Sequence, residues 1–312
     1  MPSIYTITFS PCIDKTASVP SLIPEKKLRC SQPKLEPGGG GINVARAIHK
    51  LGGSAVAVYP AGGYTGQYFN ALLAKERLPC QVIPSSGETR ENIIILEESS
   101  NNQYRFGMPG QALSGAEWSA CLQAITDAKE LDYVVASGSL PPGVPADVFG
   151  QLAKLVRSKG GKLIVDTSGD GLRHAVQEGV FLIKPNLGEL SSLAGKEELS
   201  IHEAGLIAKD MINKGGCEVM IISMGQSGAM LVTGEASSIL TAPQVVRKST
   251  VGAGDSMVAG IVYYLSTGHN LDESARYGVA CGTAATMNPG TELCRKEDAD
   301  KLFNQVHAIP VR

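Results

Sequence analysis

The feature that most constrains this chain is a repeated alternation of short apolar runs with amphipathic helical stretches from residue 41 onward. Residues 56–60, 132–136, 162–166, 181–184 and 218–223 read VAVYP, DYVVA, KLIVD, FLIK and EVMIIS, the near-continuous apolar pattern of strands buried on both faces of a parallel sheet. Between them lie helical signals. Ser114-x-x-Glu117 is a capping-box pattern followed by Trp118, Cys121, Leu122 and Ile125 on one face, and Ser200-x-x-Glu203 opens a second such stretch with Leu206, Ile207 and Met211. Strand–helix alternation of this kind predicts an α/β fold, a mainly parallel sheet covered by helices on both faces.

Two regions break the rhythm. Residues 15–37 carry four prolines and the basic group Lys26, Lys27, Arg29 and Lys34. Residues 90–108 read as two strands, Asn92–Leu96 and Gln103–Met108, joined by a polar turn over Glu97–Asn102. Together they predict a small β-layer outside the main sheet, which is either a lid over a site or an ordinary edge extension.

Composition excludes several classes of function. The 312 residues carry 28 Lys and Arg against 30 Asp and Glu, and 5% are aromatic, so neither a chain-wide basic field nor a base-stacking surface for nucleic acid is expected. The seven cysteines include no CxxC pair and the five histidines no HxxH or HExxH spacing, which argues against a transition-metal site and for a reducing compartment. No uncharged apolar run approaches membrane-spanning length. The opening Met1–Tyr5 lacks a basic region followed by an apolar core. The expectation is a cytoplasmic protein without a membrane partner.

Glycine supplies 36 residues, well above the usual share of about 7%, and clusters at 38–41, 52–53, 62–63 and 252–254. The familiar nucleotide and hydrolase signatures GxxxxGK[ST], GxGxxG and GxSxG are absent. Instead, Ser249-Thr-Val-Gly252-Ala253-Gly254-Asp255-Ser256-Met257 leads into an apolar helix through Val258, Ile261 and Val262. Small residues at a helix start leave backbone N–H groups free for an anion. Asp255 there is either a helix cap or an acid placed to take a proton from a hydroxyl attacking a phosphate. A second segment, Glu36-Pro37-Gly38-Gly39-Gly40-Gly41-Ile42-Asn43-Val44-Ala45-Arg46-Ala47, permits close approach to a ligand and offers Asn43 as donor and acceptor for sugar hydroxyls.

These two segments, with Thr8-x-x-Pro11-x-x-Asp14, Ser137-Gly138-Ser139-Leu140-Pro141 and Lys184-Pro185-Asn186-x-x-Glu189, resemble in content and order the motifs of the ribokinase-like (PfkB) carbohydrate kinases. The resemblance covers the whole chain. Lys27, Arg29, Arg90 and Tyr104-Arg105-Phe106-x-Met108-Pro109-Gly110 most resemble the 6-phosphofructokinase branch, with 1-phosphofructokinases and tagatose-6-phosphate kinases as alternatives and a non-catalytic sugar-phosphate sensor as a more distant one. The resemblance implies a single ribokinase-like domain over 1–312, a three-layer α/β/α sandwich with a small β-sheet lid from about 15–37 and 88–110. It implies phosphoryl transfer from ATP, with Mg²⁺, to a sugar phosphate, in the first instance fructose 6-phosphate. Asp255 is then the general base, and the amides of Gly252, Ala253 and Gly254 form the anion hole. Asp14, Gly38, Gly39 and Asn43 take sugar hydroxyls, while Lys27, Arg90, Arg105 and Ser139 take the phosphate already on the sugar. Lys184, Asn186, Glu189, Ser223, Gly225, Gly228 and Asn288 border the nucleotide, and Glu189 holds Mg²⁺ partly through water. Ser249, Val251, Ala285, Asn288 and Gly290 are implied, mainly through carbonyls, as ligands of a monovalent cation such as K⁺. The lid is implied as the interface of a homodimer. Glu292 stands where the resemblance leads one to expect arginine.

Overall fold

The computed structural model describes residues 3–311; Met1 and Pro2 of the N-terminal stretch read above, and Arg312, lie outside the described residues. The strands are β1 (Ile4–Ile7), β2 (Cys12–Val19), β3 (Lys34–Gly38), β4 (Val56–Ala61), β5 (Cys80–Pro84), β6 (Arg90–Glu97), β7 (Asn102–Phe106), β8 (Tyr133–Ser137), β9 (Lys162–Asp166), β10 (Val180–Ile183), β11 (Cys217–Ser223), β12 (Ala229–Thr233), β13 (Ser237–Leu240) and β14 (Ala308–Pro310). The helices are α1 (Gly40–Lys50), α2 (Gly63–Lys75), α3 (Gly115–Thr126), α4 (Val148–Ser158), α5 (Gly169–Glu178), α6 (Leu187–Leu193), α7 (Ile201–Asn213), α8 (Ala253–Ser266), α9 (Leu271–Thr286) and α10 (Lys296–Phe303).

Ten strands form the central sheet in the order β14-β13-β12-β11-β10-β9-β8-β1-β4-β5. It is parallel from β11 through β5, and the pairings β11–β12, β12–β13 and β13–β14 are antiparallel. Successive residues of a strand point to opposite faces, and the two cores follow that alternation. Val135, Ile164, Leu182, Val219 and Ile221 pack with α1, α2, α8, α9 and α10 on one face. Val134, Ala136, Leu163, Val165 and Ile183 pack with α3 to α7 on the other. This is the three-layer α/β/α sandwich that the resemblance implied.

The strand order reverses at β1, which lies between β4 and β8. In open α/β sheets ligands bind outside the carboxyl ends of the strands at such a point. The loops that leave β1 and β8, with the glycine turn before α1, converge there.

The second sheet has the order β3-β2-β6-β7 and corrects the expected lid boundaries. Its first strand begins at Cys12 rather than near residue 15, and residues 20–33, with three of the four prolines, form a connection without strand structure. The last strand stops at Phe106 instead of Met108. There the Met108 N–H donates to the Asn92 side-chain Oδ1 (3.1 Å) in place of a ladder bond, and Pro109 follows. The alternation also starts before residue 41, since β1 is a four-residue central strand.

Candidate active site

The segment 249–257 folds as a turn into α8. Gly252 takes φ 75°, the left-handed region that glycine enters most readily, and it is the helix N-cap. Asp255 is therefore not the cap. Its Oδ2 accepts a hydrogen bond from Asn43 Nδ2 at 2.9 Å, joining residues 212 positions apart. Desolvation by burial, reinforced by the charges of Asp166 and Asp14 and opposed by Asn43 and Lys184, pushes the Asp255 carboxyl up to about 7. The residue nonetheless keeps part of its surface open, the access that a substrate hydroxyl requires.

Lys184 lies at the end of β10, buried and paired with Asp166 at 3.1 Å. Burial alone would lower its ammonium, but Asp166, with weaker help from Glu189 and Asp255, outweighs this and holds it above the ordinary lysine range. A Cβ at Gly254 would lie 3.6 Å from Lys184 Nζ, so the cation stands directly beside the turn. Aligned amides, a helix start and a fixed ammonium together make an anion site.

Several of the residues expected to meet the sugar stand on the second sheet. Its register sets Gly38, Cys12 and Arg90 in one row and Glu36, Asp14 and Asn92 in the next, so all of these side chains share the inner face. Asp14 is buried on β2 and accepts from Asn92 Nδ2 at 3.0 Å and from Cys12 Sγ at 3.4 Å. A Cβ on Gly38 would collide with the Asp14 carboxylate. Arg90 donates to the carbonyls of Met108 (2.8 Å) and Ser10 (3.1 Å), and its buried Nε has no partner. Glu91 points to the other face and pairs with Lys15 at 2.8 Å. Arg105 shares the inner face with Ile94 and Ser139 follows β8; both are exposed. Lys27 lies on the exposed connection between β2 and β3. Neither Lys27 nor Arg105 makes an ion pair among the described residues.

On the opposite side of the turn lies a cleft of about 410 Å³, bounded by Ser223, Gly225 and Gly228 on one wall and Thr250, Gly254 and Met257 on the other. Its volume is within the usual range for small-ligand sites. Asn186 caps α6 in a capping box: its Oδ1 accepts from the Glu189 N–H, and Glu189 Oε2 accepts from the Asn186 N–H, both at 2.9 Å. The helix-start role of Glu189 uses one carboxylate oxygen and leaves the other available. No group of three or more His, Cys, Asp or Glu side chains that could hold a metal occurs among the described residues. A carboxylate acting with waters and substrate phosphates is how Mg²⁺ is commonly held, and this donor set fits that mode.

The loops proposed for a monovalent cation do meet. The Lys248 N–H donates to the Thr286 carbonyl at 2.8 Å, and Ser249 Oγ to the Gly290 carbonyl at 2.6 Å. The Ala285 carbonyl accepts from the Asn288 N–H, and each such oxygen keeps a second lone pair. Asn288 itself is buried with its amide on the Leu293 carbonyl (3.0 Å), and it does not line the cleft. Glu292 pairs with Arg295 at 2.7 Å and is likewise outside the cleft lining.

Three contributors were not singled out from sequence. Asp166 ends the strand KLIVD, and an acid at the carboxyl end of a parallel strand is a readable signal. Asn92 and Arg46 gave none, because their roles come from contacts between elements. Arg46 is buried; it forms a bidentate pair with Glu76 (2.6 and 2.8 Å) and donates to the Pro37 carbonyl (2.7 Å) just before the glycine turn.

Comparison with known proteins gives a consistent result. The model of the family described as pfkB family carbohydrate kinase matches residues 7–298. The ATP-dependent 6-phosphofructokinase isozyme 2 of Mycobacterium tuberculosis is 44% identical over 303 residues, 97% of this chain and 89% of that protein. The phosphofructokinase-2 from Escherichia coli, solved in complex with potassium, superposes with a TM-score of 0.94 at 42% identity, covering 98% of this chain and 99% of that one. The tetrameric inhibited form of the same E. coli protein gives 0.92 at 41% identity, covering 98% and 99%.

Proposed function

The chain belongs to the pfkB family of carbohydrate kinases, and from that premise we propose that it transfers the γ-phosphoryl group of ATP to fructose 6-phosphate, giving fructose 1,6-bisphosphate and ADP. The observation that carries the reading is the junction of Asn43 with Asp255, which sets the sugar-facing turn against the anion-binding turn. Asp14 and Asn43 orient the sugar. Asp255 takes the proton of the attacking hydroxyl as its oxygen bonds to the γ-phosphorus and the bond to ADP breaks. A carboxyl near 7 suits that task, because about half of it is ionised at neutral pH and the ionised form is basic enough to hold the proton. The Gly252–Gly254 amides and Lys184 stabilise charge on the group in flight. Glu189, with Asn186 holding its backbone, is the residue to hold Mg²⁺ through water, and Mg²⁺ supplies neutralisation of phosphate charge.

Arg90 supports a phosphorylated sugar, since its charge pairs with no carboxylate among the described residues and its buried Nε is unpartnered there. Arg105 and Ser139 extend that clamp. Lys27, exposed and away from the other cations' partners, belongs to it as a residue donated across a homodimer joined by the lid. The apolar outer face of the lid supports such an interface: Ile93, Tyr104, Phe106 and Met108 are 37–49% exposed. A K⁺ ion on the carbonyls of Ser249, Val251, Ala285, Asn288 and Gly290, one domain over 1–312 and a cytoplasmic setting complete the reading. No helix among the described residues is long and apolar enough to cross a membrane.

The test is a set of initial rates with MgATP and fructose 6-phosphate, fructose 1-phosphate, tagatose 6-phosphate or fructose. A kcat/KM for fructose 6-phosphate at least about tenfold above the others is expected. Preference for another phosphosugar moves the substrate and keeps the mechanism; preference for fructose overturns the arginine clamp. Absence of turnover with all four overturns the assignment.

A further inference from the structure

We propose that Asn92 is a positioning residue that ties the carboxylate reading the sugar hydroxyls to the arginine reading the sugar phosphate, so that the two ends of the substrate are recognised as one unit. This rests on the sugar-phosphate reading above.

A primary amide offers two N–H donors and two acceptor lone pairs, and all four of Asn92 are engaged within the sugar side of the site. Nδ2 donates to Asp14 Oδ1 at 3.0 Å and to Cys12 Sγ at 3.1 Å. Oδ1 accepts from Arg90 Nη1 at 3.4 Å and from the Met108 N–H at 3.1 Å. The amide has one workable orientation. Turned over, it would set its NH₂ against the Arg90 and Met108 donors and its oxygen against the Asp14 carboxylate. Asn92 therefore connects β2, its own strand β6 and the end of the lid hairpin through one rigid group.

The consequence for each partner is specific. On Asp14, Oδ1 is held by Asn92 and Cys12, so Oδ2, on the side that Gly38 leaves clear, remains to meet a hydroxyl. On Arg90, the Nη groups are pinned by neutral oxygens of Asn92, Met108 and Ser10, and Glu91 is turned away onto Lys15. The guanidinium is fixed in place with its charge uncompensated and its Nε unpartnered. A neutral strut does this where an acid could not, since an aspartate would repel Asp14 and neutralise the charge meant for the phosphate.

Steady-state kinetics on Asn92→Leu, Arg90→Ala and the double variant test the link, with the single tryptophan, Trp118, reporting thermal unfolding. Asn92→Leu is expected to raise KM for fructose 6-phosphate at least about tenfold while KM for MgATP and kcat stay within about twofold. In the Arg90→Ala background the same change should add clearly less than it does in the wild type, because only its Asp14 end is left to hold. Asn92→Asp keeps the acceptor bonds but sets a second carboxylate against Asp14 and neutralises Arg90, and should raise the same KM at least as much as Asn92→Leu. An unchanged KM, fully additive effects, or equal losses in kcat and both KM values would reduce Asn92 to a structural residue. Wild-type rates keep the two ideas apart. A wild type that uses plain fructose as well as fructose 6-phosphate defeats the reading of the site and this inference together. One that selects fructose 6-phosphate while the Arg90 and Asn92 effects simply add defeats this inference alone.

Discussion

The two sides of the site are supported in opposite ways. The Gly252–Asp255 turn heads α8, whose residues Ser256–Val262 are all buried against α1 and α9. Arg90, Asn92 and Asp14 stand on a four-stranded sheet whose outer face leaves Ile93, Tyr104 and Phe106 open. In the proposed assignment chemistry falls where the surroundings are dry and fixed, and recognition where polar side chains hold one another across a thin layer. A base gains from desolvation, which the core provides. Recognition of a charged substrate gains from pinned, uncompensated donors, which a hydrogen-bonded sheet provides.

That contrast can be broken most severely at the base. Asp255→Asn should lower kcat by about 10²- to 10⁴-fold while equilibrium binding of fructose 6-phosphate survives; retained turnover would move the base elsewhere. The same substitution carries a pH signature in stability. The Asp255 carboxyl sits near 7 in the fold and near 4 in an unfolded chain, so the fold holds the proton more tightly. Its favourable contribution is greatest at low pH and is lost as pH rises from about 4 to about 7. Asp255→Asn should therefore raise Tm more at pH 8 than at pH 5, and an equal shift at both would contradict the raised value.

The next largest effect belongs to the lid. Arg90→Ala removes charge-assisted bonds worth about 1.5–3 kcal/mol, so KM for fructose 6-phosphate should rise by roughly 10- to 100-fold with KM for MgATP unchanged. Asn43→Ala reaches between the two sides. It withdraws a bond that lowers the Asp255 value, so the acid limb of kcat, expected near pH 7 in the wild type, should move to higher pH. A limb that stays in place would uncouple Asn43 from the base. Glu189→Gln has the smallest expected effect on stability, within about 0.5 kcal/mol, because glutamine also completes a capping box. It should raise the Mg²⁺ concentration needed for half-maximal rate, and no such rise would leave Glu189 with its helix-start role alone.

What the sequence disclosed follows the same division. KLIVD, FLIK and EVMIIS announce central strands because burial on both faces demands apolar residues throughout. The lid strands are buried on both faces only where they leave the core, at Cys12–Asp14 and Glu36–Gly38, and β2 (CIDKTASV) mixes charge with small residues, so its start at Cys12 was hidden. Two acids at helix starts, Glu189 and Asp255, were equally ambiguous in one dimension. The first proved to be part of a capping box and the second to bond Asn43 instead, and only tertiary contact separates the cases. Motif order carried Asp14, Asn43 and Arg90 into a shared region of space, whereas Asn92 and Arg46 act through partners that no local spacing encodes.

The Asn43–Asp255 bond also has a meaning in time. At the usual about 5–20 residues per second of synthesis, the 212 positions between them separate the appearance of the sugar-facing turn from that of its base by about 10–40 s. During that interval a nascent chain presents its glycine turn, and later Arg90 and the last lid strands, without the proposed base. With Asp255 as the proposed base, phosphoryl transfer waits until the segment that carries it has emerged and docked against α1, so catalytic competence reports on completion of that contact.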